Sequence, residues 1–246
     1  MVLAAIPARH GSTRFPGKPL ALIAGRPLIA WTVAAARAAR TIDDVAVVTD
    51  DAAIARAAEA AGARAIVLDR PAASGSDRIA QLLAVDPAAG RAATIVNLQG
   101  DEPLLEPDAI DAAVRALAAD PAIDIATLVR PLRAGEDPAA PDLVKAACGA
   151  DGRALYFSRA PIPHGGEPLI HIGLYAFRRA AFDRFAAAPP GALERVEQLE
   201  QLRALELGLV IHCVTFPSVA IAVDRPADIA HVEAALAVRG TAVHAS

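Results

Sequence analysis

Three basic side chains lie close together near the start of the chain, in a polar loop that follows an apolar segment. Arg9, Arg14 and Lys18 fall within ten residues, among glycines and hydroxyls such as that of Ser12. Cationic side chains beside exposed backbone N–H groups are typical of a polyphosphate site. A solvated basic turn is the alternative, and the residues by themselves leave both interpretations open.

The loop differs from a Walker P-loop in two respects. Five residues separate Gly11 from Gly17, and Pro19 stands where a serine or threonine would hold magnesium. Any phosphate site here therefore has to be of another kind.

Lysine is rare in this chain. Of 24 lysines and arginines, only Lys18 and Lys145 are lysines. A compact ammonium is retained where a planar guanidinium fork does not fit, which favours a specific task for Lys18 inside the basic loop. For Lys145 a chance survivor of a base-composition bias remains an open alternative.

Two aspartates end apolar runs that read as strands. Asp101 closes TIVNLQGD (94–101), and Asp224 closes VAIAVD (219–224). Magnesium prefers one or two carboxylates together with phosphate oxygens, so Asp101 beside Gly100 favours a Mg²⁺ site at the rim of a sheet, and Asp224 fits as a second ligand. The alternative is that each aspartate caps the helix that follows it.

The segment from Ser74 to Arg78 follows another predicted strand and combines glycine, hydroxyls and an arginine. These groups can hydrogen-bond a pyrimidine edge or a phosphate. A helix N-cap at Ser76 is the simpler reading, and the two roles can coexist.

Five polar residues in the second half could together recognise a sugar acid, which needs a cation for its carboxylate and neutral partners for its hydroxyls. Each residue alone reads more readily as structural. They are Arg159, His171, Tyr175, Glu200 and Gln201.

The elements that must position these residues alternate between strand and helix in the first half. Apolar runs at 2–8, 44–50, 65–69 and 94–101 are separated by alanine-rich helical stretches. This alternation predicts parallel strands joined by right-handed crossovers.

The second half of the chain does not continue this alternation of strand and helix. A hairpin is predicted at 144–158, a strand at 171–178, a single helix at 193–208 and two further strands before a closing helix. The predicted fold class is α/β: a mixed, mainly parallel, doubly wound sheet with a smaller insert lobe at about 139–210, within a single domain spanning 1–246.

The composition of the chain disfavours several classes of protein. The net charge is −4 with both signs dispersed, so nucleic acid and anionic membranes are not expected partners. No apolar run reaches the roughly 20 residues of a membrane helix, and the N-terminus lacks the order of a signal peptide, so a cytoplasmic location is expected. Two cysteines without CxxC spacing disfavour a disulfide framework or a structural zinc site.

The motifs together resemble those of the CMP-Kdo synthetases, the 3-deoxy-manno-octulosonate cytidylyltransferases. The opening resembles the IPAR-x-x-STR-[FL]-PGKPL segment of that family. Further similar blocks follow in the family's order across nearly the whole chain: SGSDR (74–78), VNLQGDEP (96–103), YFSRAPIP (156–163), HIGLY (171–175) and LEQLR (199–203).

The resemblance implies a Rossmann-like nucleotidyltransferase that uses CTP and Mg²⁺. It implies catalytic roles for Arg9, Lys18 and Asp101, and metal binding by Asp101 and Asp224, the latter because VDRPADI matches the family's VDTPEDL segment. The implied nucleotide-binding residues are Ala8, Arg9, Ser12, Arg14, Lys18, Ser76 and Arg78. The implied sugar-binding residues are Gln99, Arg159, His171, Tyr175, Glu200 and Gln201.

The expected reaction is a direct displacement, in which the anomeric hydroxyl of Kdo attacks the α-phosphorus of CTP and pyrophosphate leaves. This would activate the sugar for lipopolysaccharide or capsule, and the lobe is also a candidate homodimer surface. The sequence departs from the family mainly around the sugar, where Ile170 replaces an arginine and segment 163–171 is short. The alternatives are another acceptor, such as a sialic-like sugar or a phosphonate, and a non-catalytic nucleotide-binding module.

Overall fold

The computed structural model describes residues 1–11, 15–217 and 222–243, with the backbone alone for 239–243. Eleven strands lie in these ranges. They are β1 (Val2–Ala8), β2 (Leu22–Ile23), β3 (Arg26–Pro27), β4 (Asp44–Thr49), β5 (Arg64–Val67), β6 (Thr94–Asn97), β7 (Ile125–Pro131), β8 (Lys145–Cys148), β9 (Ala154–Ser158), β10 (Leu169–Arg178) and β11 (Ile211–Thr215).

Nine described helices accompany them, together with a short 3₁₀ helix at Lys18–Leu20. They are α1 (Leu28–Ala38), α2 (Ala52–Ala60), α3 (Gly75–Val85), α4 (Pro87–Gly90), α5 (Pro107–Ala119), α6 (Arg179–Ala187), α7 (Ala192–Glu197), α8 (Gln201–Glu206) and α9 (Asp228–Val243).

The main sheet has the strand order β11-β7-β10-β6-β1-β4-β5, and the β8–β9 hairpin joins it through β10. β1 pairs in parallel with β4 and β6, β4 with β5, and β7 with β11, whereas β10 runs antiparallel to both of its long neighbours. The predicted mixed, mainly parallel sheet is confirmed.

Alternation along β1 shows why the sheet is covered on both faces. Ala4 and Ile6 pack in one fully buried cluster with side chains of α1, α2 and α5. Leu3 and Ala5 point the other way, into a cluster with side chains of α3, α6 and α8. A strand buried on both sides reads as the continuous apolar run that the sequence shows.

The residues predicted to bind ligands lie near one edge of this sheet. β1, β4 and β6 are mutually parallel, so their carboxyl ends meet there. The antiparallel β10 pairs Tyr175 with Asn97, the last residue of β6, so the residues of β10 before Tyr175 extend beyond that edge. The hairpin pairs with this extension, at Leu169 and Ile170.

Several sequence-based boundaries are confirmed and others differ from the structure. The strand predicted at 94–101 ends at Asn97, so Asp101 lies in a turn after β6 rather than at the end of a strand. The predicted hairpin appears as β8 and β9, with Gly152 at a φ of 79° in its turn. The single helix predicted at 193–208 is wrong, because Gln198 adopts a φ of 56° and separates α7 from α8. Of the strand predicted at 219–224, residues 219–221 lie outside the described residues and 222–224 form no strand.

The predicted lobe at 139–210 is not separate from the main sheet. Its hairpin lies at the sheet edge, whereas the second half of its strand β10 pairs inside the main sheet between β6 and β7. The role of the lobe as a sugar-binding and dimerisation unit stays a prediction.

Candidate active site

Two neighbouring cavities open at the edge where β1 and β6 end. The first, the basic cavity, has a volume of about 370 Å³ and is lined by residues of the loop after β1, the segment before α3 and the segment after β6. The second, the lobe cavity, has a volume of about 350 Å³ and lies among β10, α8 and the turn before α8. Gly75, Gln99 and Glu200 line both cavities, so one ligand can extend from the first into the second.

The loop after β1 closes on itself to present Lys18. The N–H of Gly17 donates to the carbonyl of His10 at 2.9 Å, and the N–H of Lys18 donates to Phe15 at 3.1 Å. Gly17 has a φ of 70°, which a side chain would disfavour, and Pro19 follows in the 3₁₀ turn. The chain thereby turns back toward the sheet edge, and Lys18 lines the basic cavity.

Lys18 lies between the two predicted metal ligands. Its Nζ is 2.6 Å from Asp101 Oδ2 and 3.4 Å from Asp224 Oδ1. The N–H of Val223 donates to the carbonyl of Asp101 at 2.9 Å, which holds the two segments side by side. The structure therefore brings together an ammonium and two carboxylates that are far apart in the sequence.

The helix-cap interpretation of these aspartates is not borne out. α5 begins at Pro107 after Glu106, several residues beyond Asp101. At the start of α9 the carboxylate of Asp228 accepts from the N–H groups of Asp224 and Arg225, at 2.8 and 2.7 Å. Because a different carboxylate satisfies that turn, Asp224 is directed to the cavity instead.

The donor set at this point suits a hard cation. Both carboxylate oxygens approach one nitrogen, so they face a common point beside the basic cavity. In the described part of the chain no three histidine, cysteine, aspartate or glutamate side chains form a metal-binding group. Two carboxylates completed by phosphate oxygens are the arrangement that Mg²⁺ accepts.

Arg78 offers an unused donor to the same cavity. The residue is only 5% exposed, and its ion pair with Asp50 Oδ2 is long, at 3.4 Å. Its Nη1 is buried and makes no hydrogen bond to any residue that the structure describes. Leaving a buried charged donor unsatisfied is costly, so this nitrogen makes Arg78 a candidate donor to a ligand.

The predicted nucleotide-binding residues divide into three groups. Ala8, Arg9, Lys18 and Arg78 all line the basic cavity. Ser76 instead lines the lobe cavity. Ser12 and Arg14 lie outside the described residues.

Ser76 is not the helix cap that the simpler reading suggested. The cap of α3 is Ser74, whose Oγ accepts from the N–H of Asp77 at 3.2 Å while Asp77 Oδ2 accepts from the N–H of Ser74. Ser76 is 2% exposed, and its Oγ donates to Glu200 Oε2 at 2.7 Å. This bond ties the first turn of α3 to the residue that precedes α8, at the boundary between the cavities.

All six predicted sugar-binding residues line the lobe cavity. They come from four separate parts of the chain, and they are Gln99, Arg159, His171, Tyr175, Glu200 and Gln201.

Arg159 is held at the cavity wall by backbone carbonyls. Its Nε donates to Glu197 O at 2.9 Å, Nη1 to Pro141 O at 2.9 Å and Nη2 to Gln198 O at 3.2 Å. None of these acceptors carries a formal charge, so the guanidinium charge remains available to an anion. Among the described residues that line the lobe cavity, it is the one lysine or arginine side chain.

His171 and Tyr175 both present uncharged rings. Burial lowers the pKa of His171 to about 3, so the imidazole is neutral at physiological pH. Burial, followed by the charge of Glu200, raises the pKa of Tyr175 well above its usual value, so the phenol keeps its proton. The ring centroids lie 5.3 Å apart.

Two residues of the lobe cavity and the neighbour of Asp101 in the chain were not predicted as site residues from the sequence. Asn97 is 3% exposed and lines the lobe cavity, and its Oδ1 meets no donor in the ranges described. Gln198 lines the same cavity with its left-handed backbone. Burial, followed by the charge of Asp101, raises the pKa of Glu102 to about 8. A polar residue ending an apolar strand was a usable signal for Asn97, whereas the other two features depend on the folded environment.

Lys145 has a defined structural position, which disfavours the chance-survivor interpretation. The residue is fully buried, and its Nζ donates to the carbonyls of Ala140, at 3.0 Å, and of Arg159. Burial, followed by the charge of Arg159, lowers the pKa of this ammonium. Lys145 thus fixes the backbone on both sides of the Arg159 guanidinium.

Comparisons with known proteins were consistent across sequence and structure. Residues 3–211 match the model of the family described as Cytidylyltransferase. The chain is 52% identical over 238 residues to a 3-deoxy-manno-octulosonate cytidylyltransferase of Anaeromyxobacter dehalogenans, covering 94% of this chain and 96% of the relative. It is 49% identical over 240 residues to a protein of the same name from Rhodospirillum centenum, covering 95% and 93%.

A solved structure shares the fold over the same extent. It is that of a CMP:2-keto-3-deoxy-manno-octonic acid synthetase complexed with CTP. The two superpose with a TM-score of 0.89 at 35% identity, covering 97% of this chain and 99% of the other.

Proposed function

Because the chain belongs to the 3-deoxy-manno-octulosonate cytidylyltransferase family, we infer that it transfers CMP from CTP to the anomeric hydroxyl of Kdo and releases pyrophosphate. This reaction activates Kdo for lipopolysaccharide biosynthesis. The observation that carries the inference is the pair of cavities with shared walls. One collects cations that suit a triphosphate and carboxylates that suit Mg²⁺, and the other holds the Arg159 guanidinium among neutral polar groups and the shared carboxylate of Glu200.

The basic cavity is proposed to bind CTP. Arg9 and Lys18 line it beside Ala8, and the buried, unsatisfied Nη1 of Arg78 is matched to a phosphate oxygen or a base carbonyl. Charge-assisted bonds from such donors are about twice as strong as neutral ones, which suits a ligand with three phosphates. Ser12 and Arg14 remain predicted contributors from the same loop.

Asp101 and Asp224 are proposed to hold Mg²⁺ together with phosphate oxygens. When bound there, Mg²⁺ would neutralise phosphate charge and lower the pKa of the attacking hydroxyl. Lys18 approaches both carboxylates, so its ammonium is positioned to offset charge on the leaving pyrophosphate.

The lobe cavity is proposed to bind the sugar acid, with its carboxylate on Arg159. Neutral His171 and protonated Tyr175 cannot compete for an anion, but they can accept from and donate to hydroxyls. Replacement of the family's arginine by Ile170 leaves Arg159 to carry this recognition.

The chemistry then depends on placing the two substrates across the shared wall. A direct displacement needs the attacking hydroxyl in line with the departing pyrophosphate, and no covalent enzyme intermediate is required. Gln99 and Glu200 line both cavities, which supports a role for them beside the hydroxyl and the α-phosphate. The bond from Ser76 holds Glu200 in that position.

A pyrophosphate-release assay with purified protein tests the function. CTP, UTP and ATP would each be combined with Kdo, a sialic acid and a phosphonate, in the presence of Mg²⁺. The expected result is fast release with CTP and Kdo and little with the other pairs. Faster turnover of another acid would replace the sugar assignment, and no release with any pair would favour a non-catalytic nucleotide-binding module.

We also propose a homodimer and a cytoplasmic location. Leu155 and Val196, on β9 and α7, are 62% and 81% exposed, which supports a homodimer through the lobe, and sedimentation would measure it. A cytoplasmic location is proposed because CTP is a cytoplasmic substrate. No helix in the described ranges is long and apolar enough to span a membrane.

A further inference from the structure

Strand β10 is irregular at the point where it forms the wall of the lobe cavity. Its pairing with β7 shifts register between Ile172 and Tyr175, so Gly173 and Leu174 fall outside the regular ladder. A bulge of this kind leaves backbone carbonyls that need other partners and redirects nearby side chains. His171 lies just before the bulge and Tyr175 just after it.

Thr127, on β7, satisfies this bulge. The residue is fully buried, and its hydroxyl lies 2.7 Å from the carbonyl oxygen of Leu174 and 3.4 Å from that of Ile172. A carbonyl oxygen can only accept, so the single hydroxyl proton of Thr127 is donated to Leu174. The Thr127 oxygen can still accept a hydrogen bond.

The same oxygen fixes the tautomer of His171. Thr127 Oγ1 lies 2.9 Å from Nε2 of the His171 ring. Because the hydroxyl proton is already committed to Leu174, the bond can form only if Nε2 carries a proton and donates it. A neutral imidazole has one N–H, so Nδ1 is left as an acceptor, and no residue in the described ranges hydrogen-bonds it.

We propose that Thr127 is a positioning residue that holds His171 as the Nε2–H tautomer, so that Nδ1 accepts a hydrogen bond from a hydroxyl group of the sugar. The inference rests on the proposed function for the identity of the ligand. In this tautomer Nδ1 can only accept a hydrogen bond, so His171 can bind a donating hydroxyl but not the sugar carboxylate. The ring is further held edge-to-face against Phe157, with centroids 5.1 Å apart.

The tautomer can be measured without substrate. Nitrogen-15 spectra of histidine-labelled protein distinguish Nε2–H from Nδ1–H rings, and the His171 signals are those that disappear in His171→Gln. The expected wild-type spectrum is that of an Nε2–H ring. In Thr127→Val, which removes the acceptor, the ring should become a mixture of tautomers, and Thr127→Ser should restore the wild-type form.

Kinetics supply the functional readout. Thr127→Val should raise KM for Kdo about five- to tenfold, the effect of one misplaced neutral hydrogen bond, with little change in KM for CTP. Thr127→Ser should recover most of that loss. Thr32→Val is the matched control, because Thr32 is also fully buried but its hydroxyl has no partner among the described residues.

Two results would overturn the inference. One is an Nδ1–H ring in the wild type, which requires no variant and therefore decides the matter even if Thr127→Val does not fold. The other is a Thr127→Ser enzyme as impaired toward the sugar as Thr127→Val. Absence of turnover with Kdo would count against the proposed substrate alone, since the spectra are recorded without it.

Discussion

The basic cavity and the lobe cavity recognise their proposed ligands by opposite physical means. The basic cavity concentrates formal charge, with Lys18 bridging Asp101 and Asp224 and with Arg78 buried beside them. The lobe cavity presents two rings whose shifted pKa values keep them uncharged, one guanidinium and, where it meets the basic cavity, the carboxylate of Glu200. Charge suits the transfer of a nucleotidyl group, whereas neutral hydrogen bonds suit the discrimination of one hydroxylated acid from another.

The two cavities also differ in how they are built. Most of the basic cavity is supplied by segments that directly follow parallel strands, as in other α/β folds. The lobe cavity combines an antiparallel strand with a bulge, a broken helix and a hairpin. Changes in the first should therefore act through the chemical step and CTP, and changes in the second through the sugar.

The largest expected effect is that of Asp101→Asn. Removing one of two carboxylates at the proposed metal site, and one partner of Lys18, should lower kcat more than about a thousandfold. Circular dichroism and the melting temperature should change little. Asp108→Asn, an exposed aspartate in the first turn of α5, is the control. Near-normal turnover of Asp101→Asn at saturating Mg²⁺ would contradict the metal assignment.

A smaller effect is expected for Lys18→Arg, which keeps the charge. The ammonium lies 2.6 Å from Asp101 and beside Pro19, where a planar fork has no equivalent position. We expect kcat/KM for CTP to fall on the order of a hundredfold, with KM for Kdo little changed. The exposed Arg91 gives the control substitution Arg91→Lys. Unchanged constants would show that charge alone is sufficient at this position.

Arg159→Ala tests the other cavity. Loss of a charge-assisted bond to the sugar carboxylate should reduce kcat/KM for Kdo about tenfold to a hundredfold, while KM for CTP stays within about twofold. Arg159→Lys should recover only part of this, because the fork held by three carbonyls is lost. Arg153→Ala, on an exposed arginine of the same hairpin, is the control. A change mainly in KM for CTP would reverse the assignment of the two cavities.

The sequence was informative where local chemistry and topology coincide. Asp101 and Lys18 were predicted because an aspartate soon after an apolar run and a rare lysine in a basic loop are visible without a fold. The break at Gln198 was missed because residues 193–208 have regular helical periodicity. The carbonyls of Glu197 and Gln198 instead accept from the distant Arg159, and only tertiary structure reveals that contact.

The smallest expected effect is that of pH on His171, whose ring should not titrate in the physiological range. Burial holds the pKa of His171 at about 3, below its usual 6.5, so the ring should stay neutral from pH 5 to 8. Its nitrogen-15 shifts should be constant over that range, with free imidazole in the same buffer as the titrating reference.

The same lowered pKa makes the stability of the protein depend on pH. Below pH 6.5 the unfolded chain gains a proton that the folded one refuses, so the unfolding free energy falls as the pH is lowered toward 3. That slope should weaken in His171→Gln. A His171 ring that titrates near 6.5 would mean that the lobe cavity, like the basic cavity, can present a positive charge in addition to Arg159, and the contrast between the two would be lost.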